Sequence, residues 1–142
     1  MKQNIQQQAQ WLGYAGVIPF IAAGLLVTDL PQELVIKAIH SYAAIILTFI
    51  GAIHWGRSLW DESVTNKSLL PGISVLPSLV AWLSFFLPAT YALSLLVVSF
   101  ALLLLFDFRQ YASIPWFRKL RLNLTLMVCT SLIFCLVIIS SF

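Results

Sequence analysis

Apolar residues in this chain fall in long unbroken blocks, parted by short polar joints rather than alternating with polar positions. A helix needs roughly 17 to 25 such residues to cross a bilayer, at about 1.5 Å of rise each. Five blocks qualify, at Trp11 to Val27, Leu34 to Leu59, Pro71 to Leu87, Ala89 to Phe106 and Leu122 to Ser140. The pattern predicts an all-α polytopic membrane protein, a bundle of five transmembrane helices forming one transmembrane domain over residues 1–142, with no room for a separate soluble domain. The first block follows a polar, glutamine-rich leader with one lysine and no small-x-small cleavage site, so it is expected to be a retained helix rather than a signal peptide.

The second block carries the most positional information. At 100° per residue, His40, Ala44, Leu47, Gly51 and His54 share an arc of roughly 80°, with Ile46, Phe49, Ile50 and Ile53 on the other side. Small residues are expected to face the bundle and bulky ones the lipid. A second ladder, Ala44, Thr48, Ala52 and Gly56, fits the small-xxx-small spacing that lets membrane helices approach closely. Pro19 and Pro77 lie inside blocks, where each removes a backbone hydrogen bond and bends its helix, and Ser74 or Ser78 could serve the carbonyl freed at Pro77.

Composition agrees with this partition, since 61% of the residues are hydrophobic and 9% charged, against about a quarter charged in soluble domains. The sign of the charge matters less than its placement. With the N-terminus inside, Lys2, Arg57, Lys67, Arg109, Arg118, Lys119 and Arg121 gather on one face and Lys37 alone lies on the other. Basic residues in short loops stay cytoplasmic, which predicts a cytoplasmic N-terminus and a periplasmic C-terminus in a bacterial inner membrane. Asp29 and Glu33 are left on the outer side, and the turn at Pro88 is expected to be very tight.

Ionisable groups inside spans are costly and so draw functional attention. His40 lies toward the outer face, His54 toward the inner, and Asp107 ends the fourth span on the inner side. A carboxylate at a helix C-terminus opposes the macrodipole and calls for a cation, which Arg57, Arg109, Arg118 or Arg121 could supply. The stretch Asp107 to Arg121, DFRQYASIPWFRKLR, mixes Tyr111, Trp116 and Phe117 with basic residues and reads as an interfacial loop at headgroup depth. Cys129 and Cys135 lie six residues apart, about 120° around one helix, too divergent to pair or share a metal.

The segments GAIHWGRSLW (Gly51 to Trp60), LPSLVAW (Leu76 to Trp82), the leucine run ending in Asp107 and PWFRKLRLNLT (Pro115 to Thr125) resemble the family of uncharacterised five-span membrane proteins that includes transmembrane protein sixty-nine, a domain of unknown function. The resemblance covers nearly the whole chain, and His54, Trp55, Gly56 and the Pro115 to Arg121 segment are its most specific parts. It implies a bacterial inner or mitochondrial inner membrane and no defined activity. His40 lies outside the family pattern, which counts against mechanisms needing both histidines. The N-terminus lacks the arginine-rich character of a transit peptide, which favours a bacterial source.

The reading that follows is a non-enzymatic binding or accessory protein. Its ligand-binding residues are expected to be His54, Trp55, Arg57, Asp107, Trp116, Arg118 and Arg121, with no catalytic or metal-binding residue and no cofactor. Its partners are expected to be membrane lipids, with a quinone, a partner membrane subunit or a second copy of the chain as alternatives, and not nucleic acid. A small transporter or proton path through His40 and His54 is the runner-up, opposed by the apolar stretch between them. A dimer holding haem between histidines about 21 Å apart on each helix is the third reading. An intramembrane enzyme lacks any GxSxG, HExxH or clustered carboxylates.

Overall fold

A computed structural model describes residues 2–27, 29–62 and 68–141, and among them every regular element is an α-helix. These are α1 (Lys2–Ala15), α2 (Ile18–Leu26), α3 (Gln32–Trp60), α4 (Leu70–Ser84), α5 (Ala89–Gln110) and α6 (Pro115–Ser140). The first two form one bent rod, so five rods alternate up and down. Lys67, counted above with the inner charges, lies outside the described residues.

The bend falls at Gly16 and Val17, just ahead of Pro19, which sits in the first turn of α2 where its missing N–H costs nothing. Two hydroxyls from other rods serve carbonyls around the break. The Tyr42 hydroxyl donates to Gly16 O (3.0 Å) and the Ser131 hydroxyl to Phe20 O (2.6 Å). In lipid such partners replace water for a disrupted helix.

Pairings fix the arrangement of the other rods. His40 meets Ser84 while Gly51 meets Ser74 and Pro77, so α4 runs antiparallel to α3. His54 meets Asp107, placing α5 parallel to α3, and Arg121 meets Asp107 while Cys129 approaches Val97, which turns α6 back along α5. The short link of residues 85–88 joins α4 to α5, so the turn at Pro88 is as tight as its sequence predicts. Phe20, Leu47, Leu93, Leu96, Phe100 and Leu132 fill the centre with at most 1% of their surface exposed. Because hydrocarbon outside is as apolar as the core, close packing rather than burial from water holds such rods together.

Four rods are long and apolar enough to cross a membrane, over Asn4–Leu26, Gln32–Trp60, Ala89–Gln110 and Pro115–Ser140. The predicted third span is the exception. Helix α4 ends at Ser84 rather than Leu87, and its 15 residues reach only about 22 Å, short of a hydrocarbon core of about 30 Å.

Four further sequence expectations need correction. The interfacial loop is mostly helix: Asp107 to Gln110 finish α5, Pro115 to Arg121 begin α6, and only residues 111–114 link them. On α3, Ile50 is buried rather than lipid-facing. The small-residue ladder turns outward after Thr48, because Ala52 and Gly56 are exposed and a Cβ on Gly56 would meet nothing. Close helix approach occurs instead at Gly51, where a Cβ would lie 2.8 Å from Ser74 O and 2.9 Å from Pro77 Cγ. Ser74 does not serve Pro77, since its hydroxyl donates to Pro71 O at 2.7 Å.

Candidate functional site

Three core stripes end in polar residues at one level of the bundle. On α3 the stripe runs Leu47, Gly51, His54, Ser58; on α5 it runs Leu96, Phe100, Leu103, Asp107; on α6 it runs Cys135, Leu132, Val128, Thr125, Arg121. Each advances by three or four residues, the spacing that keeps one helix face turned inward. His54, Asp107 and Arg121 are therefore carried into the interior by the same geometry that buries the leucines, and they are 1%, 2% and 5% exposed.

The carboxylate of Asp107 is divided between its two neighbours. His54 Nε2 lies 2.8 Å from Oδ1, and Arg121 Nε donates to Oδ2 at 2.5 Å. A carboxylate only accepts, so Nε2 carries the proton it donates, and His54 Nδ1 is left buried without a partner. Arg121 is the cation that Asp107 requires at its helix end, selected over the other nearby arginines because it alone falls on the core stripe of α6. A buried pair of this kind gains little stability over apolar residues of the same volume, yet removing one member strands the other.

Aromatic rings close the space around the pair. Phe106 meets the His54 ring edge-on at 4.9 Å, and Tyr111, the residue capping α5, lies 5.7 Å from it and 4.5 Å from Phe117. The Arg57 guanidinium sits 4.5 Å above the Tyr111 ring and donates to Gln110 O (2.6 Å) and to Asp61 (2.8 Å). Burial pushes the Tyr111 hydroxyl's pKa up, with the Arg57 charge pulling the other way.

Of the seven residues predicted for the site, His54, Asp107 and Arg121 converge and Arg57 joins them through Tyr111. Arg118 lies apart, its guanidinium 4.6 Å over the Phe108 ring and its Nε buried without a partner. Trp116 packs edge-on against Phe117 at 5.7 Å. Trp55 does not join the cluster: it follows His54 directly, so it projects about 100° around α3 from it and is 46% exposed. Sequence reasoning missed Thr125 and cast Tyr111 as a headgroup anchor rather than a buried ring. Running the α6 stripe back from Leu132 through Val128 would have found Thr125.

Beside Arg121 a cavity of about 540 Å³ opens between α1, α3 and α6. Val17, Phe20, Ile50, Phe100, Leu124 and Val128 supply much of its wall, and exposed Leu12 and Phe49 stand at its lipid-facing side. Arg121 and Thr125 are the polar side chains among its described lining residues. Arg121 Nη2 and Thr125 Oγ1 are both buried and lack a hydrogen-bond partner.

The other histidine has a different setting. His40 Nε2 lies 2.8 Å from Ser84 Oγ, which itself donates to Ala81 O (2.6 Å), and the imidazole stacks on Phe85 at 4.6 Å. With the serine proton already committed, His40 is the donor in this contact. Among the described residues no three His, Cys, Asp or Glu side chains gather as metal ligands would. Cys129 and Cys135 are unpaired thiols.

Residues 5–137 match a family described as a protein of unknown function (DUF3429). Transmembrane protein 69 of Xenopus tropicalis is 33% identical over 137 residues, covering 92% of this chain and 54% of the relative. The chain thus spans about half the length of that curated relative. No solved structure matches.

Proposed function

The chain belongs to the DUF3429 family of unknown function, and within that family we propose that this multi-pass membrane protein is a non-enzymatic binding or accessory protein for a membrane-soluble amphiphile. One observation carries the reading: a buried polar triad, His54, Asp107 and Arg121, borders through Arg121 a largely apolar cavity of about 540 Å³. Ligand sites combine these traits, a concave apolar wall of some 300 to 1,000 Å³ with a few fixed polar groups that orient the bound molecule. Asp107 fixes Arg121, and Phe106 and Tyr111 hold the His54 ring. The tail of an amphiphile lies along Leu12, Phe49 and Leu124, which line the cavity and keep exposed surface, and its head lies toward Arg121.

The membrane and orientation belong to the same proposal. Arg57, Arg109, Arg118, Lys119 and Arg121 share one end of the bundle, which supports placing that end at the cytoplasmic face of a bacterial inner membrane. An amphiphile then enters sideways from the cytoplasmic leaflet.

Native mass spectrometry of the full chain, released from mild detergent, tests the reading. The wild type is expected to retain a defined amphiphile or partner subunit, and His54→Ala, checked for helicity by circular dichroism, to lose it. Retention of bulk lipid alone, with no partner copurifying, overturns the proposal.

A further inference from the structure

We propose that α1 is a hinged lid on the cavity of about 540 Å³, pivoting at Gly16 and Val17 toward and away from α3 to admit and then enclose a bound amphiphile. The inference rests on the binding reading above and names the part of the protein that regulates entry.

Anchorage is the first argument, because the two halves of the first rod are held differently. Phe20 of α2 is fully buried, and Val17 and Val27 at either end of that helix are buried too. None of the side chains described on α1 is buried, and Ile5, Trp11, Leu12 and Tyr14 are all exposed. In lipid an exposed apolar side chain exerts no pull back toward the bundle, so packing and hydrogen bonds alone hold a rod in place. Segments with few such contacts open at the least cost.

The second argument is where α1 stands. Ala9, Gly13 and Gly16, spaced by four and three residues, turn one face of small side chains to the cavity, and Ile46, Phe49, Ile50 and Ile53 of α3 line it from their own helix. The cavity thus lies where α1 would otherwise pack on α3. Apolar walls kept apart forgo dispersion contacts, and the wall that yields to regain them is the one least tied down. Helix α1 rests instead against α6, where a Cβ on Gly13 would lie 2.9 Å from Leu124 Cδ1.

Hydrogen bonds supply the third. The Tyr42 and Ser131 hydroxyls pin the carbonyls of Gly16 and Phe20, at the break and beyond it (3.0 and 2.6 Å). Ahead of the break, among the described residues, one side-chain hydrogen bond ties α1 to another rod: Asn123 Nδ2 donates to Tyr14 Oη at 3.2 Å on the exposed surface. The pivot is therefore fixed while the arm is lightly held. Hinges have this form, with the turn absorbed by a few residues at the end of an element.

Pulsed dipolar electron spin resonance on the full chain tests the lid, with Cys129→Ala and Cys135→Ala leaving only introduced thiols. One pair of spin labels, at Gln7→Cys and Leu59→Cys, reads α1 against α3. A second pair, at Leu25→Cys and Lys37→Cys, reads α2 against α3 and reports that the chain is folded. All four positions are exposed and lie outside the cavity lining. In delipidated protein the α1 pair is expected to give a distance distribution roughly twice as wide as the α2 pair. Saturating oleyl alcohol, a single-chain uncharged amphiphile, narrows it to the α2 width. Asn123→Ala, at a position that does not line the cavity, frees Tyr14; it widens the α1 distribution and lowers affinity for oleyl alcohol about threefold. Native mass spectrometry of the same samples reads occupancy independently. An α1 distribution as narrow as that of α2 from the start, or one unchanged while oleyl alcohol is retained, overturns the lid and leaves the binding reading standing. No retention of oleyl alcohol by any form removes the binding reading and the lid with it.

Discussion

The two histidines of α3 occupy opposite ends of one helix and meet unlike surroundings. His54 is 1% exposed and hydrogen-bonds a carboxylate that an arginine also holds, whereas His40 is half-buried and meets a neutral serine and a phenylalanine ring. At the His54 end three helices each contribute a polar group to one level. At the His40 end two helices share a single hydrogen bond. The difference teaches that an ionisable residue in a span acquires its character from the helices facing it, and that only the His54 end has the partners to hold a charge away from water.

Splitting the ion pair tests that contrast most severely. Asp107→Leu or Arg121→Leu strands the other charge and is expected to cost about 3–5 kcal/mol, while the double replacement costs much less than the sum. Unfolding in mixed micelles measures each, and additive losses would show that the two groups do not act as a pair. Gly51→Ala comes next, at about 1–3 kcal/mol, because the new methyl meets Ser74 O and Pro77. It pushes α4 off α3 and so loosens the His40–Ser84 bond while sparing His54–Asp107, a difference visible in the imidazole resonances of the two histidines.

Replacing His40 with leucine is a smaller change, about 1 kcal/mol or less, since Ser84 keeps its bond to Ala81 O. A loss as large as that from Asp107→Leu would erase the distinction between the two ends. Tyr111→Phe removes a buried hydroxyl and is expected to be neutral or slightly favourable at pH 7. Its signature is in alkali. The folded pKa lies above the ordinary value near 10, so this group's stabilisation is complete below that value and lost as pH rises through the folded one. Tyr111→Phe should flatten the fall in stability above pH about 10, and an unchanged alkaline slope would assign it to other groups.

Much of this was legible in the chain, for reasons particular residues make plain. Blocks of apolar residues specify rods, and the placement of His54 on the inward face of α3 with Leu47 and Gly51 followed from turn geometry alone. Asp107 at a helix C-terminus announced a need for a cation. Which arginine answered it was hidden, because aromatic and basic residues from Tyr111 to Arg121 suit a headgroup layer as well as a helix. The start of α6 at Pro115 turns Arg121 inward and leaves Lys119 out, and composition does not register that phase. Ala52 and Gly56 misled in the opposite way: small residues at the right spacing permit close approach, but a neighbouring helix must be there to use it, and α4 comes nearest at Gly51.

Helix α4 has one further consequence. Lipid beside the 29 residues of α3 faces about 43 Å of rod, whereas lipid beside α4 faces about half that. With Trp82, Phe85 and Phe86 exposed at its far end, the flank formed by α4 sets a waist where the adjoining leaflet must draw inward to cover an otherwise uneven girth. A bilayer is expected to thin beside this flank, and thinner membranes to accommodate it with less distortion than thick ones.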